Sequence, residues 1–194
     1  MSGAARHGVV LLAAGRSRRL GEAKQLLEIG GEKLVRRASR LALATSPLDA
    51  VVVTGDHAEA VEEALRGLAV RCVAAEDSDE GMGRSLAAGL RHLDSACAGA
   101  LVVVCDQPAL TAGHLARLVE AWEAVPSSAA ASGYAGTVGV PAVLPRAWFP
   151  RLMGAGGDRG ARELLREHAG EIPVVPDERL GEDVDHPEEA AGLF

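Results

Sequence analysis

The chain has 194 residues, of which 48% are hydrophobic and 24% charged, with a formal net charge of −7. Such a length suffices for one domain, residues 1–194, whose core needs neither disulfides nor a structural metal. Net acidity with a 3% aromatic share argues against a nucleic-acid-binding face of interleaved basic and aromatic residues, and no apolar run approaches the roughly 18 residues of a membrane span.

Along the chain, short β-branched runs alternate with longer segments of helical period. Strands are expected at Val9 to Leu12, Ala50 to Val53, Val70 to Ala74 and Ala100 to Val104. Helices are expected at Lys33 to Ala44, Ala58 to Leu65, Gly83 to Leu93 and Ala112 to Ala124. This alternation is the pattern of βαβ units on a parallel sheet, and strands apolar almost throughout suit a sheet covered on both faces. The fold class that follows is α/β: three layers, doubly wound, with a mostly parallel sheet. After Pro126 the rhythm changes to Ser127 to Ser132, a Gly-rich stretch from Tyr134 to Gly139 and the apolar Val140 to Leu144, which read as an elaboration at the sheet edge. Asp158 to His168 reads as a helix with Asp158 as its N-cap. Ile172 to Val175 reads as a further strand and Pro187 to Leu193 as a terminal helical segment.

Cys72, Cys97 and Cys105 are odd in number, widely spaced and set in apolar surroundings. They read as buried thiols of a reducing cytosol. Met1 to His7 is too short and polar for a signal peptide, so the expected location is cytoplasmic.

In open α/β sheets ligands bind beyond the carboxyl ends of the strands, which singles out residues 13–25, 75–85 and 105–111. The first of these loops gathers Gly15, Arg16, Ser17, Arg18, Arg19, Gly21 and Lys24. In an acidic protein, cations clustered beside small residues point to a bound polyanion such as a triphosphate. A Walker A loop is excluded because the glycines are six apart and Lys24 lies three beyond the second. A dinucleotide fingerprint fails too, since Gly15 is followed by Arg, Ser, Arg, Arg and Leu. What remains is a loop whose backbone N–H groups reach a polyanion beside Ala13, Ala14 and Gly15, with Arg19 and Lys24 as countercharge. A solvent-exposed basic turn is the alternative.

The segment Leu12-Ala13-Ala14-Gly15-Arg16-Ser17-Arg18-Arg19-Leu20-Gly21-Glu22-Ala23-Lys24 resembles the signature of the MobA-like nucleotidyltransferases, Leu-Ala-Ala-Gly-x-Ser-x-Arg-x-Gly-x-x-Lys. The match is nearest to the molybdenum cofactor cytidylyltransferases: guanylyltransferase relatives carry Ala-Gly-Gly where this chain has Ala13-Ala14-Gly15, which favours cytidine. Leu20 stands where the family commonly has Met. The resemblance implies a fold like that of the nucleotide-diphospho-sugar transferases, and a nucleotide held by Leu12, Ala13, Ala14, Gly15, Arg19, Lys24 and Ser85. Ser85 falls in Gly81 to Leu90, similar to the family's Ser-x-x-x-Gly-Leu segment, and is alternatively a helix cap.

Val104-Cys105-Asp106-Gln107-Pro108 places a carboxylate at a strand tip. Read alone, Asp106 either binds Mg²⁺, which prefers one or two carboxylates with phosphate oxygens and water, or caps the helix starting near Thr111. The resemblance implies the Mg²⁺ role, with Arg19, Lys24 and Asp106 as the catalytic set. Glu182-Asp183-Val184-Asp185-His186-Pro187-Glu188-Glu189 resembles the family's Asp-x-Asp-Thr-Pro-Glu-Asp ending, with His186 for Thr and Glu189 for the last Asp. It implies Asp185 as second metal ligand and Asp183 as the alternative; otherwise the segment is an acidic first turn of a last helix. Gly139-Val140-Pro141 and Gly157-Asp158-Arg159-Gly160-Ala161-Arg162 resemble elements of the family's acceptor half, where Arg162 is either an acceptor contact or an exposed helix arginine.

The activity implied is Mg²⁺-dependent transfer of CMP from CTP to the terminal phosphate of molybdopterin, with release of pyrophosphate and a molybdoenzyme as partner. Three alternatives stay open: transfer of another nucleotide or to another acceptor, an NAD(P)H-dependent oxidoreductase of alkaloid catabolism built on the same domain, and a non-catalytic protein that delivers cofactor.

Overall fold

Four consecutive apolar residues, Val9-Val10-Leu11-Leu12, make both sides of an extended chain hydrophobic, and β1 (His7–Ala13) is buried at every position. A computed structural model describes residues 5–15, 23–75, 81–154 and 161–181. After β1 the chain runs through β2 (Glu28–Ile29), β3 (Glu32–Lys33), α1 (Leu34–Leu43), β4 (Ala50–Thr54), α2 (Ala58–Leu65), β5 (Arg71–Ala74), α3 (Met82–His92) and β6 (Gly99–Val104). It continues with α4 (Ala112–Ala124), β7 (Ala130–Tyr134), β8 (Thr137–Pro145), α5 (Phe149–Gly154), α6 (Ala161–Glu167) and β9 (Val174–Pro176). β2 and β3 pair as a small hairpin, and the other seven strands form one sheet in the order β5-β4-β1-β6-β8-β7-β9.

Side chains alternate across β1, and the core divides accordingly. Val9, Leu11 and Ala13 pack with Val35 and Leu41 of α1, Val61 and Leu65 of α2, and Leu115, Leu118 and Trp122 of α4. Val10, Leu12 and Ala14 pack with Leu86 and Leu90 of α3, Phe149 and Leu152 of α5, and Leu164 and Leu165 of α6. Helices therefore cover both faces, and the three-layer, doubly wound α/β architecture is as the sequence predicts. Gly89 lets α3 sit close to the sheet, because a Cβ there would collide with Val10 Cγ1.

β5, β4, β1 and β6 are mutually parallel, whereas β8 runs antiparallel to both β6 and β7. The expected edge elaboration is thus observed, as three strands added to the parallel block beyond β6. β8 enters the interior of the sheet beside β6, and the edge position falls to β9, parallel to β7. The hairpin between β7 and β8 closes with Ala135 and Gly136 at φ of 49° and 68°. Two central residues of positive φ are what a two-residue hairpin loop needs to match strand twist. The expected helix from Asp158 is observed as Ala161–Glu167, and its predicted cap lies outside the described residues, as does Pro187 to Leu193. Cys97 and Cys105 are buried, but Cys72 on the edge strand β5 is only half-buried. Among the described residues no helix is long and apolar enough to cross a membrane.

His7, at the start of β1, is 4% exposed. The Thr45 hydroxyl donates to Ala42 O at 2.7 Å, so His7 Nε2 carries the proton and donates to Thr45 Oγ1 at 2.8 Å. Burial lowers its pKa from 6.5 to about 4, with the Arg6 charge adding. Between these values the unfolded chain binds a proton that the folded chain does not, so stability is present above pH 6.5 and is lost as pH falls toward 4. The full loss amounts to about 3 kcal/mol. Denaturant titrations from pH 7 to 4 are expected to show this decline, and His7→Leu to flatten it; an equal slope in the variant would remove the assignment.

Candidate active site

The chain leaves β1 for β4 and β5 on one side, then crosses to β6 on the other, so the sheet's switch point lies between the carboxyl ends of β1 and β6, where Leu12 and Val104 pair. Loops leaving neighbouring strands in opposite directions open a crevice there, the usual ligand position in open α/β sheets.

The loop from β1 begins on a firmly packed floor. Leu12, Ala13 and Ala14 are buried, and Gly15 has nothing within 4 Å of where its Cβ would lie. Behind the loop, Gly55 follows β4, and a Cβ there would stand 2.8 Å from Ala14 O. Only glycine lets the exit of β4 pass beneath this backbone. The Cys105 thiol reaches Leu12 O at 3.8 Å and ties the ends of β6 and β1 together. Burial, with the Asp106 charge adding, pushes that thiol up to about 12, so it stays protonated and inert as a nucleophile.

Lys24 opens a 3-10 turn, Lys24–Leu26, after the first loop. Its Nζ lies 3.7 Å from Asp106 Oδ2, with the two side chains 20% and 33% exposed. The fold thereby joins two of the three residues expected to form the catalytic set, at the switch point and with access to solvent. The third, Arg19, lies outside the described residues, together with Asp183, Asp185 and the 157–160 part of the acceptor-half element.

Two helix-cap readings are corrected. Asp106 does not cap α4: Thr111 does, its Oγ1 accepting from the His114 amide at 3.1 Å. Ser85 does not cap α3 either. That helix starts behind Gly81, whose φ of 100° is open to glycine, and Ser85 sits one turn inside it, 5% exposed. Arg162 is an exposed residue of the first turn of α6.

Sequence reasoning assigned no role to Gln107, which is 4% exposed beside Asp106. Its Nε2 donates to Val140 O at 3.2 Å and to Leu180 O at 3.0 Å, while its Oε1 has no protein partner. An orphaned buried acceptor costs about 1–3 kcal/mol. Tyr134 Oη also donates to Val140 O, at 2.7 Å, and a Cβ on Gly139 would lie 2.6 Å from that hydroxyl. Only the run of polar residues after a strand tip, Asp106-Gln107, signalled this in the sequence.

Beneath the same segment, Asp177, His114 and Ser132 stand in the order of a nucleophilic triad. His114 Nε2 bonds Ser132 Oγ at 2.8 Å, and His114 Nδ1 lies 4.0 Å from Asp177 Oδ2. The geometry is a brace, because Ser132 is fully buried and its hydroxyl donates to Pro141 O at 2.6 Å. Burial lowers the His114 pKa, keeping the ring neutral, and the Arg179 guanidinium holds the Asp177 carboxylate ionised.

Among the described residues no group of three His, Cys, Asp or Glu side chains could hold a metal. A single half-buried carboxylate is compatible with Mg²⁺, which keeps most of its coordination shell for phosphate and water.

Residues 9–172 match the family described as the MobA-like NTP transferase domain. The chain is 34% identical over 195 residues to the purine catabolism protein PucB of Bacillus subtilis (strain 168), across 93% of this chain and 92% of that one. It is also 34% identical over 200 residues to the nicotine blue oxidoreductase of Paenarthrobacter nicotinovorans, across 95% of each. The crystal structure of Rv0371c from Mycobacterium tuberculosis H37Rv matches with a TM-score of 0.81 and 28% identity over 98% of both chains. Its complex with manganese matches with a TM-score of 0.73 and 26% identity over 91% of this chain and 89% of that one. The sheet read from the sequence is thus that of the nucleotide-diphospho-sugar transferase fold.

Proposed function

This chain belongs to the MobA-like NTP transferase domain family, and we propose that it transfers CMP from CTP to the terminal phosphate of a molybdopterin-type acceptor, releasing pyrophosphate. The observation that carries the proposal is the Lys24–Asp106 pair at 3.7 Å on the β1/β6 crevice. A cation and a carboxylate are what a metal–triphosphate complex engages separately: the lysine takes phosphate oxygen and the carboxylate takes the metal.

In this reading the small side chains of Ala13, Ala14 and Gly15 let backbone amides approach the triphosphate, and Lys24 with Arg19 supplies fixed positive charge. Ser85 is assigned to the nucleotide. Asp106 would hold Mg²⁺, with Asp185 as the second ligand, and the manganese complex of the similar Rv0371c supports a divalent ion. When bound, the ion supplies neutralisation of charge on the α-phosphate and the departing pyrophosphate. The acceptor phosphate is already ionised at neutral pH, so the protein's task is alignment and no general base is needed. Ala13-Ala14-Gly15 supports cytidine, and the product dinucleotide would pass to a molybdoenzyme.

A second reading rests on the whole-length similarity to nicotine blue oxidoreductase. There the same crevice would accept a nicotinamide nucleotide. A pyrophosphate-release screen over four nucleotides, with and without molybdopterin, separates the two. Release with CTP and molybdopterin alone is the expected result, accompanied by a thermal shift with CTP and Mg²⁺. A shift with NAD(P)H and no pyrophosphate release would overturn the transfer proposal.

A further inference from the structure

Gln107 bonds two segments that lie far from it in sequence. Through one nitrogen it reaches Val140 O, within Gly139-Val140-Pro141 of β8, and Leu180 O, within the 3-10 turn Glu178–Gly181. Each segment is also held from its other side: Tyr134 Oη donates to Val140 O, Leu180 N to Asp177 O, and Asp177 N to Gly133 O. The amide of Gln107 is the side-chain bridge that joins both to the turn carrying Asp106.

The chemistry at this position is selective. Two buried carbonyls demand two hydrogens from one uncharged group, which a primary amide provides and a carboxylate or aliphatic chain does not. The partners also fix the amide's orientation, since the flipped form would set Oε1 against two carbonyl oxygens. That orientation leaves Oε1 without a protein partner. An aliphatic side chain would leave Leu180 O without this donor, so the bridge ties the segments together. It also serves placement: Gln107 shares a peptide with Asp106, so holding its amide holds the backbone from which the carboxylate projects.

We infer that Gln107 is a positioning residue, which sets the Asp106 carboxylate in fixed register with the Gly139-Val140-Pro141 segment so that the nucleotide meets its acceptor in line. The inference rests on the nucleotidyl-transfer reading for its catalytic meaning and on the hydrogen bonds alone for the bridge.

The test uses the full chain with Gln107→Met, which keeps length and removes both donors, and Gln107→Asn, whose amide is one methylene too short to span both carbonyls. Hydrogen exchange of the amides of residues 178–181 is expected to quicken about tenfold or more in Gln107→Met as the turn loosens. In molybdopterin-dependent pyrophosphate release, kcat is expected to fall about 30-fold while KM for CTP stays within about twofold. Gln107→Asn falls between on both readouts and carries the test should the Met variant fail to fold. Exchange unchanged from the parent chain would overturn the bridge. Faster exchange with unchanged kcat would overturn the positioning role and leave a structural tie. Absence of pyrophosphate release from the unsubstituted chain would instead overturn the transfer reading, and the exchange contrast would still decide the bridge.

Discussion

Asp106→Ala is expected to lower CTP- and molybdopterin-dependent pyrophosphate release about a thousandfold, while the protein melts within about 4 °C of the parent. The two expectations separate because the carboxylate does little for the fold. Its side chain is 33% exposed, and its ion pair with Lys24 at 3.7 Å is of the solvent-screened kind that contributes at most about 1 kcal/mol. It caps no helix, since Thr111 does so for α4. On the transfer reading its loss is another matter, because charge developing on the phosphates must be met by preorganised groups at the moment of reaction. Asp106→Asn, isosteric but neutral, should lose nearly as much activity, which tells charge from shape. Steady-state rates over a Mg²⁺ titration, with circular dichroism as the fold control, decide it. Mg²⁺-dependent turnover in Asp106→Ala near the parent rate would end the metal assignment.

The parallel part of the sheet was legible because its strands are mostly apolar at consecutive positions and its helices carry clean periodicity: Ala58–Leu65 and Ala112–Ala124 are helices over the predicted residues. The second half resisted for a local reason. The turn between β7 and β8 uses Ala135-Gly136, and alanine at positive φ lacks the usual Asn-Gly or Asp-Gly signal of a hairpin. Without the hairpin, the apolar Val140 to Leu144 had no reason to be placed beside β6. In the site, Lys24 and Asp106 were legible as chemistry, and the fold supplied their contact. Gln107 was not, because its role depends on Val140 and Leu180 carbonyls, and backbone acceptors leave no trace in residue identity.

Lys24→Met should reduce kcat/KM for CTP about a hundredfold, chiefly through KM. The lysine's ammonium is a compact charge beside Asp106, and on the transfer reading polyphosphate binding would depend on it more than the fold does. The 3-10 turn Lys24–Leu26, anchored by the buried Gln25, is expected to keep the backbone in place when the side chain is neutralised. Lys24→Arg keeps the charge but spreads it over a planar fork, so recovery of part of the loss is expected. The pair also makes a stronger demand. If Lys24 and Asp106 engage the same metal–triphosphate complex, their losses cannot add: once Asp106→Ala has removed the metal-holding group, the further loss from Lys24→Met should shrink from a hundredfold to about tenfold. Single and double variants assayed together give the coupling directly. Full additivity would mean that the lysine and the carboxylate serve different ligands, and that their 3.7 Å contact is an ordinary surface ion pair.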